Sequence, residues 1–150
     1  MATPRAAAFR LSTVKLRRDA KTQLISRVPL FAHCSKKELA AVAGIADEID
    51  LREGTELTRE GAPGREFLIL VEGTADVLKK GRKINSLKSG DFFGEIALVH
   101  RTPRTATVKA TSPVRALVVT DRNFRTLLER SSEIQLKVLQ ALAERVAPTL

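Results

Sequence analysis

The residues best equipped for chemistry lie in one run, Gly90-Asp91-Phe92-Phe93-Gly94-Glu95-Ile96-Ala97-Leu98-Val99-His100-Arg101-Thr102-Pro103-Arg104-Thr105-Ala106-Thr107-Val108. Gly90 and Gly94 permit a sharp backbone path and close approach of a ligand. Glu95 to Leu98 is long enough for one helical turn, and the start of such a turn presents free N–H groups that favour an anion. Arg104 follows a corner at Pro103 and heads the next strand. Its planar guanidinium could return to the same anion. Glu95 is itself negative, so it belongs beside an anion only if it accepts a hydrogen bond from a neutral hydroxyl. An anion joined to a hydroxyl is a phosphorylated sugar.

These residues resemble the phosphate-binding cassette of cyclic-nucleotide-binding domains. That signature is F-G-E-(I/L)-A-L, a short loop, then R-(S/T/A)-A-x-V. Here it reads Phe93-Gly94-Glu95-Ile96-Ala97-Leu98 and Arg104-Thr105-Ala106-Thr107-Val108. The resemblance extends from about Leu24 to about Val146 and takes in Pro29-Leu30-Phe31, Gly61, Gly73 and Gly90-Asp91. It implies that Arg104 pairs with the cyclic phosphate and that Glu95 accepts from the ribose 2′-hydroxyl. It further implies that backbone groups at Gly94, Ile96 and Ala97 complete the cradle, with Thr105 beside the phosphate. The implied ligand is cAMP or cGMP. Thr105 occurs with either base, so the choice stays open, leaning to cAMP. Many family members cover the base from the last helix; Leu142, Arg145 and Val146 are the candidates here.

The elements that must position this run are legible from periodicity. Leu24, Ile25, Val28, Leu30 and Phe31 form an apolar cluster bent at Pro29. Ser35 and Glu38 make a capping box, so a helix is expected from about Lys36 to about Ile45. Glycines then punctuate short apolar stretches, as in an all-β roll. Strands are expected at Glu48–Arg52, Glu56–Arg59, Glu66–Val71, Thr74–Lys79, Lys83–Leu87, Thr105–Ala110 and Ala116–Thr120, with a tight hairpin at Glu72-Gly73. Phe124, Leu127 and Leu128 fit one helix capped by Thr120 or Asp121. Ile134, Leu136, Val138, Leu139, Leu142 and Val146 fit a second, ending before Pro148. The expected fold class is α+β: an antiparallel β-roll, jelly-roll-like, flanked by an N-terminal helix and two C-terminal helices.

Composition bounds the rest. The chain has 150 residues, 43% of them apolar, which suits one domain with a real core. No apolar run approaches a membrane span, and no signal-peptide pattern opens the chain. A single cysteine, Cys34, allows no internal disulfide, so the cytoplasm is the expected compartment. The net charge is +9, of which residues 1–22 supply +5, with six basic side chains against Asp19. Residues 1–22 are expected to be a basic, flexible arm and residues 23–150 the binding domain. The arm could touch an acidic partner, a membrane surface or nucleic acid. Trp and Tyr are absent, which removes the usual platforms for stacking single-stranded bases.

Other chemistry finds little footing. His33 and His100 lack carboxylate or cysteine companions at ligand spacing, so no metal is expected. Cys34 beside His33 lacks an orienting acid and reads as an approach to a helix. Arg65 and Arg101 read as solvated. No G-x-S-x-G elbow, phosphate-loop lysine motif or G-x-G-x-x-G fingerprint occurs. Too few residues follow the last helix for a helix-turn-helix, so no DNA-binding module is expected. The expected function is a non-enzymatic cyclic-nucleotide sensor with no cofactor, acting through C-terminal helix rearrangement on an effector protein or by self-association. The alternatives are a ligand-free β-roll scaffold, or binding of nucleic acid or a membrane surface through the arm.

Overall fold

The structure is a computed structural model, and residues 15–146 are the ones it describes. The chain opens with helix α1 (Arg18–Ser26), a 3₁₀ turn (Pro29–Phe31) and helix α2 (Lys36–Gly44). Eight strands follow: β1 (Asp47–Leu51), β2 (Glu56–Thr58), β3 (Glu66–Glu72), β4 (Ala75–Lys79), β5 (Arg82–Leu87), β6 (Phe92–Phe93), β7 (Thr107–Ala110) and β8 (Val114–Thr120). A second 3₁₀ turn (Glu95–Leu98) separates β6 from β7, and helices α3 (Asp121–Arg130) and α4 (Ser132–Val146) follow β8. The strands form two antiparallel sheets, β1-β8-β3-β6 and β2-β7-β4-β5. The α+β roll expected from the sequence is therefore the fold.

Two cores result. Between the helices and the first sheet lie Ile25, Val28, Leu30, Phe31, Val42, Phe67, Leu117, Phe124 and Ile134. Phe31 meets Phe67 and Phe124 with ring centroids 6.3 and 5.8 Å apart. Between the sheets lie Leu70, Ala75, Leu87, Val108, Ala110, Val114 and Ala116. Strand β3 is shared, with Phe67 and Ile69 in the first core and Leu70 in the second. Its four successive residues from Phe67 to Leu70 are buried, as suits a strand covered on both faces.

The turn at Glu72-Gly73 is not a hairpin. Strand β3 pairs with β8 and β6, whereas β4 pairs with β5 and β7, so the turn carries the chain from one sheet to the other. Gly73 has φ +97°, and a Cβ there would press on the Pro113 carbonyl oxygen. Local alternation on either side of a turn does not reveal which sheet each strand joins. Helix α1 begins at Arg18, inside the 1–22 segment expected as an arm, and packs on α2. Leu16 packs against the first core, and its N–H donates to Glu48 Oε1 at 2.9 Å. Residues 1–14 of that arm lie outside the described residues.

The capping box at the start of α2 is present. Glu38 N–H donates to Ser35 Oγ at 3.2 Å, and Ser35 N–H donates to Glu38 Oε1 at 2.7 Å. The same Oε1 accepts from Lys137 Nζ of α4 at 2.7 Å. The Lys137 ammonium first, then the Ser35 amide, holds the Glu38 carboxyl below the usual range. A carboxylate depressed in the folded state adds stability above its unfolded pKa, and this is lost as pH falls through the folded value. The melting-temperature gap between the natural protein and Glu38→Gln is thus expected to narrow on acidification below about pH 4, the ordinary glutamate range. A gap that stays constant through that limb would contradict this role.

On α4, Ile134, Val138 and Ala141 are buried, whereas Leu136, Leu139 and Val146 are 57%, 62% and 56% exposed. Helical spacing thus divides the apolar residues of this helix between two faces. Residues two apart do not share a helix face, and only Ile134, Val138 and Ala141 keep the buried stripe.

Candidate functional site

The Gly90–Val108 run is fastened to both cores. Leu70 N–H donates to Asp91 O and Gly90 N–H to Leu70 O, both at 2.8 Å. Strand β6, which the sequence reading missed, pairs Phe92 and Phe93 with Ile69 and Leu68 of β3. Its alternation sends Phe92 to the first core and Phe93 to the second. Two residues are too few to carry a periodic signal, which is why the strand was not expected. Glu95–Leu98 forms the expected turn, and Leu98 anchors it in the first core.

Gly94 begins that turn in the left-handed region at φ +84°. A Cβ on it would overlap the Arg104 guanidinium and lie 2.7 Å from the Glu66 carbonyl oxygen. Glycine is thus required twice, by conformation and by close approach. Ala97 N–H closes the turn onto Gly94 O at 3.0 Å. The Ala97 amide, expected in the phosphate cradle, is therefore engaged, and the amides of Glu95 and Ile96 lead the open N-terminal end of the turn.

Arg104 sits in a short crossing rather than at the head of a strand, since β7 begins at Thr107. The crossing is bonded to the turn after β2: Arg104 N–H to Ala62 O and Gly61 N–H to Arg104 O, both 2.8 Å, with Gly64 N–H to Thr102 O at 3.2 Å. Gly64 is buried, and a Cβ there would stand 3.2 Å from the Arg104 side chain. The Arg104 Nη2 group donates to the Glu66 carbonyl. No carboxylate lies within ion-pair distance of Arg104 among the described residues. Burial lowers its pKa, and the nearby Glu66 charge partly opposes this. Among the described residues this half-buried cation is held by a carbonyl and by no carboxylate, an arrangement that an anion in contact with it would stabilise.

Gly94, Ile96, Ala97, Arg104 and Thr105 line one cavity of about 480 Å³. Its other walls come from β2, β4, β5 and β7 through Thr58, Val77, Asn85, Leu87 and Val108. The sequence reading did not single out these five, nor Glu66 and Gly64. Strand residues lining a cavity look like ordinary strand residues, and the Glu66 contribution is a backbone carbonyl with no side-chain signature.

Glu95 is not among the residues lining this cavity. Its Oε1 accepts from Arg145 Nη2 of α4 at 3.0 Å. Arg145, one of three candidates for covering the base, is thus engaged with the cassette. Leu142 lines a separate apolar groove of about 670 Å³ together with Ile96, Val99 and Leu139. Val146 is exposed and touches neither cavity. Among the other residues singled out, Arg65 is exposed as expected. Arg101 is not simply solvated, because its Nε lies 3.2 Å from Oδ2 of the buried Asp121. His33 pairs with Glu144 of α4. Burial, with Glu38 adding to it, pushes the Cys34 thiol up, opposite to what a nucleophile needs.

Comparison with known proteins agrees with this geometry. The model of the cyclic nucleotide-binding domain family matches residues 48–131. A candidate potassium channel protein of Rhodopseudomonas palustris is 34% identical over 145 residues, 93% of this chain and 35% of that protein. A cGMP-dependent protein kinase of Toxoplasma gondii is 40% identical over 96 residues, 63% of this chain and 10% of the kinase. The chain therefore spans about a third or less of the length of these relatives. The N-terminal domain of a transcriptional regulator from Streptomyces coelicolor superposes with a TM-score of 0.77 at 27% identity, covering 84% of this chain and 94% of that one. A cyclic nucleotide-binding-like protein from Brucella abortus gives 0.69 at 29% identity, covering 74% and 99%. A cAMP-bound PfPKA-R structure gives 0.63 at 27% identity, covering 85% and 46%. With its cassette run inside the matched region and its two-sheet roll shared with these structures, the chain belongs to the cyclic nucleotide-binding domain family.

Proposed function

We propose that the chain is a non-enzymatic sensor of cAMP or cGMP. The carrying observation is Arg104, a half-buried guanidinium without a carboxylate partner among the described residues, facing the same cavity as the Gly94–Ala97 turn. In this reading Arg104 pairs with the cyclic phosphate. The first amides of the turn and Thr105 complete the cradle, Glu95 accepts from the ribose 2′-hydroxyl, and the base lies along Val77, Asn85, Leu87 and Val108. The ligand is the only small molecule required, and no metal or cofactor takes part. The relatives include one named for cGMP and one bound to cAMP, which supports a cyclic purine nucleotide without choosing between them.

Calorimetric titration with cAMP and with cGMP tests this, with Arg104→Ala as control. Nanomolar to low-micromolar binding that the variant loses is the expected result. A folded protein, free of co-purified nucleotide, that binds neither would sink the proposal.

The response runs through α4 to an effector protein. Arg145 ties α4 to Glu95, the side chain assigned to the ribose, so a change at Glu95 alters what holds α4. This shifts helix arrangements only as far as the nucleotide prefers one of them. Breaking a partly exposed pair of this kind typically costs about 0.2–1 kcal/mol. Arg145→Ala is therefore expected to speed amide exchange at the C-terminal end of α4 by up to about fivefold in nucleotide-free protein. Exchange rates unchanged there would show that the pair does not hold the helix.

A further inference from the structure

The net charge of +9 is segregated. Residues 1–46 hold nine basic side chains against Asp19 and Glu38, and residues 47–150 hold seventeen against fifteen acidic ones. Glu38 is buried and bonded to Lys137, so Asp19 is the one exposed acid among described residues 15–46. Exposed there are Lys15, Arg17, Arg18, Arg27, Lys36 and Lys37. Among the described residues none of these six lies within ion-pair distance of a carboxylate side chain. Residues 1–14 and 147–150 contain no Asp or Glu that could supply one.

Arg18, Lys36 and Lys37 converge on a groove of about 540 Å³ between α1 and α2, which also carries Asp19. Lys36 and Lys37 occupy the first turn of α2, where the helix dipole disfavours cations. Their position does not serve the helix, and no ion-pair partner among the described residues accounts for it.

We propose that the α1–α2 face is an electrostatic docking surface for an anionic lipid bilayer. A bilayer needs only cations presented together at the surface, which is what Arg18, Lys36 and Lys37 offer. Nucleic acid fits less well. Neither α1 nor α2 carries an aromatic residue on which an unpaired base could stack. The face lies on different elements from the 480 Å³ cavity and stands whether or not that cavity takes a nucleotide.

The test is cosedimentation of the full chain with vesicles of phosphatidylcholine and phosphatidylserine, and with vesicles of phosphatidylcholine alone. Arg18→Gln/Lys36→Gln/Lys37→Gln and the corresponding triple Glu variant are compared, each checked for an unchanged thermal melt; the Gln variant serves if the Glu variant does not fold. Binding to the acidic vesicles only, weakened by salt, is expected. The Gln variant is expected to partition about a hundredfold less, and the Glu variant less still. Equal binding to neutral vesicles, no binding to acidic ones, or unchanged partition of the Gln variant would each overturn the proposal. So would tighter binding to a short DNA duplex that the same variants lose, which would assign the face to nucleic acid.

Discussion

Replacing Arg104 by alanine is expected to weaken cyclic-nucleotide binding by about 2–5 kcal/mol, or roughly thirtyfold to several thousandfold, while the domain stays folded. Both halves of this expectation follow from the same arrangement. The guanidinium is held by a backbone carbonyl, with the Glu66 charge nearby but no carboxylate within ion-pair distance among the described residues, so its loss breaks no ion pair there. Its interaction with a phosphate would instead be made in a site shielded from water, where charge-assisted hydrogen bonds are strong. Arg104→Lys should recover little, because one ammonium cannot reach both the Glu66 carbonyl and an anion as a planar fork does. Calorimetry on the three proteins measures the affinities, and thermal melts measure the fold. A variant that melts far below the natural protein would make Arg104 a structural residue first.

Arg115→Met is expected to produce the largest loss of stability, lowering the melting midpoint by on the order of 10 °C or more. Arg115 lies on the central strand β8 and is 5% exposed. Its Nε reaches Asp50 Oδ1 at 2.8 Å and Glu48 Oε2 at 3.5 Å. The Glu48 side chain is 4% exposed, and its Oε2 has no hydrogen-bond partner. Removing the arginine leaves that carboxylate buried with no other ion-pair partner among the described residues, which costs more than the ion pair itself is worth. Adding Glu48→Gln to Arg115→Met should therefore recover part of the loss, a non-additivity that a thermal-melt cycle detects. A drop of only a degree or two in the single variant would mean that water reaches the carboxylate.

The parts of this fold that were legible in the sequence are those governed by local rules. The Ser35–Glu38 box, the Thr120 cap of α3 and the Glu95–Leu98 turn each depend on residues within one turn of one another, and each is present. The cassette could be read because glycine, glutamate and arginine stand in a fixed order. What was not legible is what the chain joins over distance. Gly73 looks the same in a hairpin and in a passage between sheets. The Arg145–Glu95 pair spans fifty residues, and nothing near either residue announces the other. Arg101 gave no sign of Asp121 for the same reason. Of the candidate cavity, Arg104 and the turn that begins at Gly94 could be read from the sequence, whereas its strand-borne walls and the helix tied to Glu95 could not.

The single oxygen that joins α2 to α4 makes helix movement a proton-linked event. Lys137 and Ser35 share Glu38 Oε1, and the ammonium is the foremost cause of the low carboxyl pKa. If α4 leaves, that cause leaves with it, and the carboxyl titrates higher. Lys137 in turn loses the contact that raises its own pKa. Between the docked and undocked pKa values of Glu38, the undocked molecule binds more protons, so acid in that window, below about pH 4, pulls the equilibrium toward release of α4. Any ligand that moves this helix would then exchange protons with the buffer. The heat it evolves would depend on the ionisation enthalpy of the buffer chosen.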